Sequence, residues 1–337
     1  PLMLLLIGIS NLLVIYVGGM QYIRGEIDNI GIIAEFIIYV NMLTWPVAVV
    51  GWVTSIVQQA EVSQRRINEF LEETPDIQNL QDKRTPVQGQ IEFRNVSFTY
   101  EDTNIQALKD VSFKIEQGKT LAILGKTGSG KSTIAALIPR MYDVDQGDIL
   151  IDEQPIRELN LQDLRESIGY VPQDAFLFSD SIKNNIRIGK ESADDEEIRQ
   201  AAESAYILHN IENFQNGFDT LVGERGVTLS GGQKQRVSIA RALIADPEIL
   251  IFDDCLSAVD TETEEIILKN LGKATKGKTT IIISHRTSSV KNADHIIVLD
   301  HGQVVQSGVH EDLIMKEGYY QDIYNQQLEE KLSGQES

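Results

Sequence analysis

Charged side chains are absent from residues 2–23 and again from residues 36–60. At about 1.5 Å per helical residue, runs of that length reach roughly 33 and 37 Å, against a hydrocarbon core of about 30 Å. Two transmembrane helices are therefore expected, at about 2–23 and 31–60, joined by the polar turn Arg24-Gly25-Glu26-Ile27-Asp28-Asn29. A cleaved signal peptide needs a basic start, a shorter apolar core and a small-residue cleavage site, and the first run offers none of these. Arg65 and Arg66 follow the second run, so the positive-inside tendency sets that end in the cytoplasm.

Within the second run Asn41, Thr44, Ala48, Gly51 and Ser55 step by three and four, lining one helical face with small or weakly polar groups. Such a face packs on neighbouring helices or contacts a substrate, and packing is the plainer reading. Pro46 permits a kink, while Trp45 and Trp52 share a face that suits lipid or another helix.

Beyond residue 60 the pattern changes. Residues 61–90 read as a helix leaving the membrane, followed by a linker, because helical spacing holds to Glu73 and Thr74-Pro75 and Thr85-Pro86 break it. From Ile91 short strand patterns begin. Ile91 and Phe93 alternate, the phase slips at Asn95, and alternation resumes at Val96 and Phe98, which predicts a bulged strand. Largely apolar, buried-type strand segments at 121–124, 168–171, 249–252, 279–283 and 296–299 then alternate with helical stretches. Runs apolar at successive positions are buried on both faces, the mark of a largely parallel sheet in an α/β domain.

Composition sharpens this partition. Of 337 residues, 42% are apolar and 24% charged, and 50 Asp+Glu against 30 Lys+Arg give a net charge of -20. Residues 1–60 hold only Arg24, Glu26, Asp28 and Glu35, so -18 of that charge falls on the remainder. A strongly acidic soluble part argues against nucleic acid as a partner. One cysteine, Cys255, excludes a disulfide framework or a cysteine metal cluster and suits a reducing compartment. The chain begins at Pro1 inside an apolar run, as expected of a fragment shortened at its N-terminus.

The chemistry concentrates where the first buried run ends. Gly125-Lys126-Thr127-Gly128-Ser129-Gly130-Lys131-Ser132 follows it directly and precedes a helical stretch, matching G-x-x-x-x-G-K-[ST] in the strand–loop–helix setting that this phosphate-binding motif requires. Its glycines turn backbone N–H groups toward phosphate oxygens, and the helix offers its positive end. Lys131 is placed to reach the β and γ phosphates and the Ser132 hydroxyl to ligate Mg²⁺. The metal's carboxylate is Asp253, which ends the apolar run 249–252. Leu229-Ser230-Gly231-Gly232-Gln233 opens another helix, with Ser230 at the N-cap position. In isolation this is an ordinary capped helix; beside a P-loop it is a second anion-binding helix start.

Together these motifs resemble the ATP-binding cassette (ABC) transporters, in the exporter form that carries membrane and nucleotide-binding regions on one polypeptide. The resemblance covers nearly the whole chain. It implies the last two of six transmembrane helices in residues 1–60 and an extension and linker at 61–90. A nucleotide-binding domain follows at 91–325, an α/β P-loop NTPase fold with a helical subdomain, and 326–337 form a polar tail. A six-helix half-transporter is longer than 337 residues, and the expected shortfall precedes Pro1.

The resemblance also assigns roles. Tyr100 matches the aromatic that stacks on adenine, and Gly125, Lys126, Thr127, Gly128, Ser129, Gly130, Lys131, Ser132 and Thr133 the groups around the phosphates. Gln173 matches the glutamine that contacts Mg²⁺ and the attacking water, beside Ser132 and Asp253. Leu229, Ser230, Gly231, Gly232 and Gln233 form the signature, which in the family binds the γ phosphate held on a partner's P-loop. Gly223-Glu224-Arg225-Gly226 resembles the exporter segment ahead of it. Ser257-Ala258-Val259-Asp260 resembles the segment that crosses between domains, and His285 the switch histidine.

One position departs from the pattern. The family places Glu after the metal-binding Asp, and this chain has Asp254. The two carboxyls have similar intrinsic acidity, but Asp is one methylene shorter. A retraction of about 1 Å can cost on the order of a hundredfold in rate. The chain's own P-loop site is thus expected to hydrolyse slowly while its intact signature completes a partner's site. A heterodimer with a second half-transporter follows, with a homodimer as the alternative. The resemblance implies ATP and Mg²⁺ as cofactors, a lipid bilayer as surroundings, a bacterial plasma membrane as location and an unidentified exported substrate. A regulatory or channel-like ABC subunit gated by ATP is the rival reading, and the two uncharged spans exclude a soluble repair or translation ATPase.

Overall fold

The computed structural model describes residues 2–223, 229–256 and 261–333. They divide into two compact units, one ending at Asp76 and one starting at Ile77.

The first unit is two helices, α1 (Leu2–Ile23) and α2 (Gly31–Glu72). Both are long and apolar enough to cross a membrane. With 42 residues, α2 is about 63 Å long, so the second span and its polar extension form one helix that ends before Thr74-Pro75. No residue of α2 is buried, and Trp45 and Trp52 are both exposed. The polar groups of the small-residue face bond within the helix: the Asn41 amide donates to the Ile37 carbonyl at 2.7 Å and the Thr44 hydroxyl to that of Val40 at 3.0 Å.

The second unit holds ten strands and ten helices among its described residues. The strands are β1 (Ile91–Tyr100), β2 (Ile105–Ile115), β3 (Thr120–Gly125), β4 (Gln146–Ile151), β5 (Gln154–Pro155), β6 (Ile168–Val171), β7 (Ile249–Asp253), β8 (Thr279–Ile283), β9 (His295–Asp300) and β10 (Gln303–Gly308). The helices are α3 (Lys131–Leu137), α4 (Leu161–Glu166), α5 (Ile182–Arg187), α6 (Asp195–Ser204), α7 (Leu208–Glu212), α8 (Gly231–Ile244), α9 (Thr261–Ala274), α10 (Thr287–Val290), α11 (His310–Leu313) and α12 (Tyr319–Ser333).

The six-stranded sheet runs β10-β9-β3-β8-β7-β6 and is parallel throughout except for β10. All five buried-type strand segments of the sequence lie in it, and β7 is buried along its whole length. A second sheet, β2-β1-β4-β5, is antiparallel. β1 is bulged where the alternation slips, its register shifting between Phe93 and Val96 while Asn95 takes a left-handed φ of 51°. The two sheets enclose one core with α3 between them, built on Phe93, Leu108, Ile123 and Ile134. Helices α5 to α9 gather around a second core on the other side of β6 and β7.

Two expected boundaries shift. The segment 77–90, read as linker, belongs to the second unit, because polar side chains take its backbone donors. Asp152 accepts the N–H groups of Gln88 (2.6 Å), Gly89 (3.1 Å) and Gln90 (2.9 Å), and Asp163 accepts that of Thr85 at 2.7 Å. The tail expected from residue 326 is instead the last part of α12, which runs to Ser333. A polar sequence hides this helix, whose start is fixed by the fully buried Tyr320.

Candidate active site

The site forms where the parallel strands end. β3 stops at Gly125, whose φ of +153° is open to glycine; a Cβ there would sit 2.2 Å from the Leu299 carbonyl oxygen. The loop closes at Gly130, the N-cap of α3, with φ of +101° and room for a Cβ only 2.5 Å from the Ala107 carbonyl oxygen. At both places glycine lets backbone approach backbone. The ammonium of Lys131 folds back over the loop, donating to the carbonyls of Gly125 (2.9 Å) and Lys126 (2.8 Å), and burial holds its pKa below the ordinary lysine value.

Across from the loop, β7 delivers Asp253, 3% exposed. Its carboxylate accepts the hydroxyls of Ser132 at 3.1 Å and Tyr170 at 3.3 Å. Burial holds its carboxyl above the usual aspartate value, opposed by those hydrogen bonds. Asp254 follows in a left-handed conformation, φ +45°, with its N–H on the Ile283 carbonyl at 2.9 Å. Its carboxyl is also raised by burial, opposed by the charges of His285 and Lys131. His285, just past β8, puts Nε2 3.8 Å from an Asp254 oxygen. Burial, and after it the charge of Lys131, holds the histidine's pKa below its ordinary value.

These groups face one open cavity of about 480 Å³. Its lining includes Tyr100, Thr127, Gly128, Thr133 and Gln173 as well as Gly130, Lys131, Ser132, Asp253, Asp254 and His285, while Gly125, Lys126 and Ser129 of the loop are not in its wall. Tyr100 donates to or accepts from Thr133 Oγ1 at 3.1 Å, and its ring meets those of Phe98 and Tyr142 edge-on, with centroids 4.9 and 5.5 Å away. Two parts of the wall were not legible in the motifs: β2, through Ile105, Gln106 and Ala107, and the β9–β10 turn at His301 and Gly302. Tyr170, the second hydroxyl on Asp253, was also missed, because a strand tyrosine carries no motif of its own.

The residues fit a nucleotide phosphate. Ser129 Oγ is buried without a hydrogen-bond partner inside the loop, and Gly125 and Gly130 fold the loop tightly where a side chain would collide with backbone. They also fit Mg²⁺ shared with phosphate: the Ser132 hydroxyl and the Asp253 carboxylate are hard oxygen donors already in contact. Among the described residues no three His, Cys, Asp or Glu side chains gather as a metal cage.

The signature residues do not line this cavity. Leu229 is buried in the helical core, and Ser230 caps α8 in a reciprocal box: its hydroxyl accepts the Gln233 N–H at 3.3 Å, and its N–H donates to Gln233 Oε1 at 2.9 Å. Gly223 sits at φ +99° beside Ser179, while Glu224, Arg225 and Gly226, like the segment Ser257-Ala258-Val259-Asp260, lie outside the described residues.

Comparison with known proteins gives a consistent picture. A family model described as ABC transporter matches residues 108–257. The chain is 43% identical over 97% of its length to the probable multidrug resistance ABC transporter ATP-binding/permease protein YheI of Bacillus subtilis, covering 56% of that protein. It is 42% identical over 97% of its length to the ATP-dependent lipid A-core flippase of Desulfotalea psychrophila, covering 57% of that one. Among solved structures, a bacterial Atm1-family ABC exporter with ATP bound superposes with a TM-score of 0.78 at 36% identity, over 89% of this chain and 52% of that chain. The chain thus spans a little over half the length of the curated relatives it matches.

Proposed function

The chain belongs to the ABC transporter family, and from that premise we propose that it is the energy-converting part of an ATP-driven exporter, working as a dimer in a bacterial plasma membrane with its second unit in the cytoplasm. The observation that carries this reading is the gathering of the P-loop, Asp253, Asp254, Gln173 and His285 around one cavity beneath Tyr100.

The tyrosine ring offers a face for adenine, and the N–H groups of the loop with Lys131 hold the phosphates. Ser132 and Asp253 would hold Mg²⁺, which would neutralise phosphate charge. As water attacks the γ phosphorus, one P–O bond forms and the bond to the oxygen bridging to ADP breaks. Asp254 orients that water and accepts its proton, and an N–H of His285 donates to the γ phosphate oxygens. Raised by burial, the Asp254 carboxyl is a stronger base than a solvated one. Its reach is nonetheless a methylene short, and this supports slow turnover in the chain's own site.

The signature lies away from this cavity with its capping box intact, which suits it to complete the site of a second half-transporter. A heterodimer with one weak and one competent site is the reading preferred. Closure of two such domains on two nucleotides supplies the differential affinity that reorients membrane helices. Asp254 is also the observation that favours the second reading, a regulatory or channel-like subunit in which ATP is chiefly a gating ligand.

Substrate flux into vesicles reconstituted with the whole transporter separates the two. Export predicts accumulation that requires ATP and is lost with Lys131→Ala. ATP binding with ion conductance and no accumulation would overturn the export reading.

A further inference from the structure

The segment that presents His285 is gripped from two sides. On one side stands Glu264 of α9, 1% exposed, which accepts hydrogen bonds from the Arg286 guanidinium and the Ser289 hydroxyl. On the other stands Gln327 of α12. Its Oε1 accepts both the backbone N–H of Thr287, at 2.9 Å, and the Thr287 hydroxyl, at 2.8 Å. Its Nε2 donates to the carbonyl of His285 itself, at 3.0 Å. One amide thus brackets the peptide units on either side of Arg286.

The helix that carries Gln327 is itself fixed. Tyr320, two turns earlier, is fully buried, gives its N–H to Gln306 Oε1 at 3.1 Å and shares a 2.6 Å hydrogen bond with His310 Nδ1. Gln321 donates to the Ile314 carbonyl at 2.8 Å. A rigid helix therefore carries an anchored side chain to a short loop whose next function is to hold an imidazole 3.8 Å from Asp254.

We propose that Gln327 is a positioning residue for hydrolysis: by holding the His285 carbonyl and the Thr287 N–H and hydroxyl together, it sets the placement of the His285 ring, and makes the C-terminal helix a working part of the site. The role demands an amide. Glutamate keeps the acceptor for Thr287 but turns a carboxylate oxygen toward the His285 carbonyl, where nothing donates, and alanine removes both contacts. Gln327 touches neither nucleotide nor metal in this scheme, so its loss falls on turnover and not on binding. The inference rests on the ATP-hydrolysis reading above.

The test uses the transporter assembled from this protein alone, so that every nucleotide site is its own, with Gln327→Ala and Gln327→Glu, each also in a His285→Ala background. Expected is a fall in kcat of about tenfold or more for both single variants, the scale that follows when a catalytic group shifts by a fraction of an ångström. KM for ATP and the Kd of a fluorescent ATP analogue stay within about twofold, and exchange of the Thr287 amide hydrogen accelerates by at least about tenfold. Without His285, Gln327→Ala lowers the residual rate less than about twofold, because it acts through that side chain. An unchanged kcat in Gln327→Ala, an equal fall in both backgrounds, or a fall shared with ATP affinity would overturn the proposal. A parent transporter that binds ATP but never hydrolyses it would instead overturn the reading on which it rests.

Discussion

Helices α3 and α8 both start at glycine-rich turns, and they treat their first backbone N–H groups in opposite ways. Gly130 caps α3 with no side-chain hydrogen bond, so no capping side chain takes the N–H groups of that turn, whose residues Gly130, Lys131, Ser132 and Thr133 line the cavity. Ser230 and Gln233 cap α8 reciprocally, so two donors are already used within the chain. The first turn is an anion cradle awaiting its ligand, built with a buried lysine and an orphaned Ser129 hydroxyl. The second is a finished helix end that holds its shape alone. This difference suits the composite site proposed above: there, the half that binds nucleotide first would keep its donors open, and the half that docks later would stay folded until a partner arrives.

Substitutions at the two caps should therefore have unequal effects. The larger belongs to Gly130→Ala. A left-handed backbone costs an alanine about 1–2 kcal/mol, and a Cβ 2.5 Å from the Ala107 carbonyl oxygen forces a backbone shift costing roughly another 1–3 kcal/mol. Nucleotide titration should show the affinity for MgATP falling by more than about tenfold, with the urea midpoint lowered as well. An affinity within a factor of two of the parent would show that the cradle does not depend on that close approach.

Ser230→Ala should cost about 1 kcal/mol of stability, and Ser230→Gly only a few tenths. Neither should change MgATP binding at the chain's own P-loop, because the signature does not line that cavity. If Ser230→Ala weakened binding in the isolated chain as strongly as Gly130→Ala, the division of labour between the two helix starts would fail.

How much of this was legible in the sequence depends on the kind of contact. The parallel strands showed because burial on both faces leaves an uninterrupted apolar run, as at 121–124 and 249–252. Of the antiparallel sheet only β1 showed, through its slipped alternation, since β4 starts with the exposed Gln146, Gly147 and Asp148 and β5 has two residues. Motif spacing led directly to Lys131, Ser132, Asp253 and Asp254, which are close in sequence to strand ends that fix their place. Tyr170 lies 83 residues from Asp253, and Gln327 lies 42 from His285. Such contacts depend on where two distant elements dock, which no local pattern records. The segment 77–90 shows the same dependence: it lacks regular structure, and it is held by carboxylates at Asp152 and Asp163 far along the chain.

The central claim is that this cradle binds ATP well and turns it over slowly, because the carboxylate after Asp253 is an aspartate. The direct measurement is steady-state ATP hydrolysis with Asp254→Glu, in the transporter built from this chain alone and in the one assembled with a candidate partner, alongside MgATP affinity. The account predicts a rise in kcat of about tenfold to a hundredfold at this chain's own site, as the longer side chain reaches the attacking water, with affinity unchanged within about twofold. Hydrolysis unaltered by the substitution in both assemblies would contradict it.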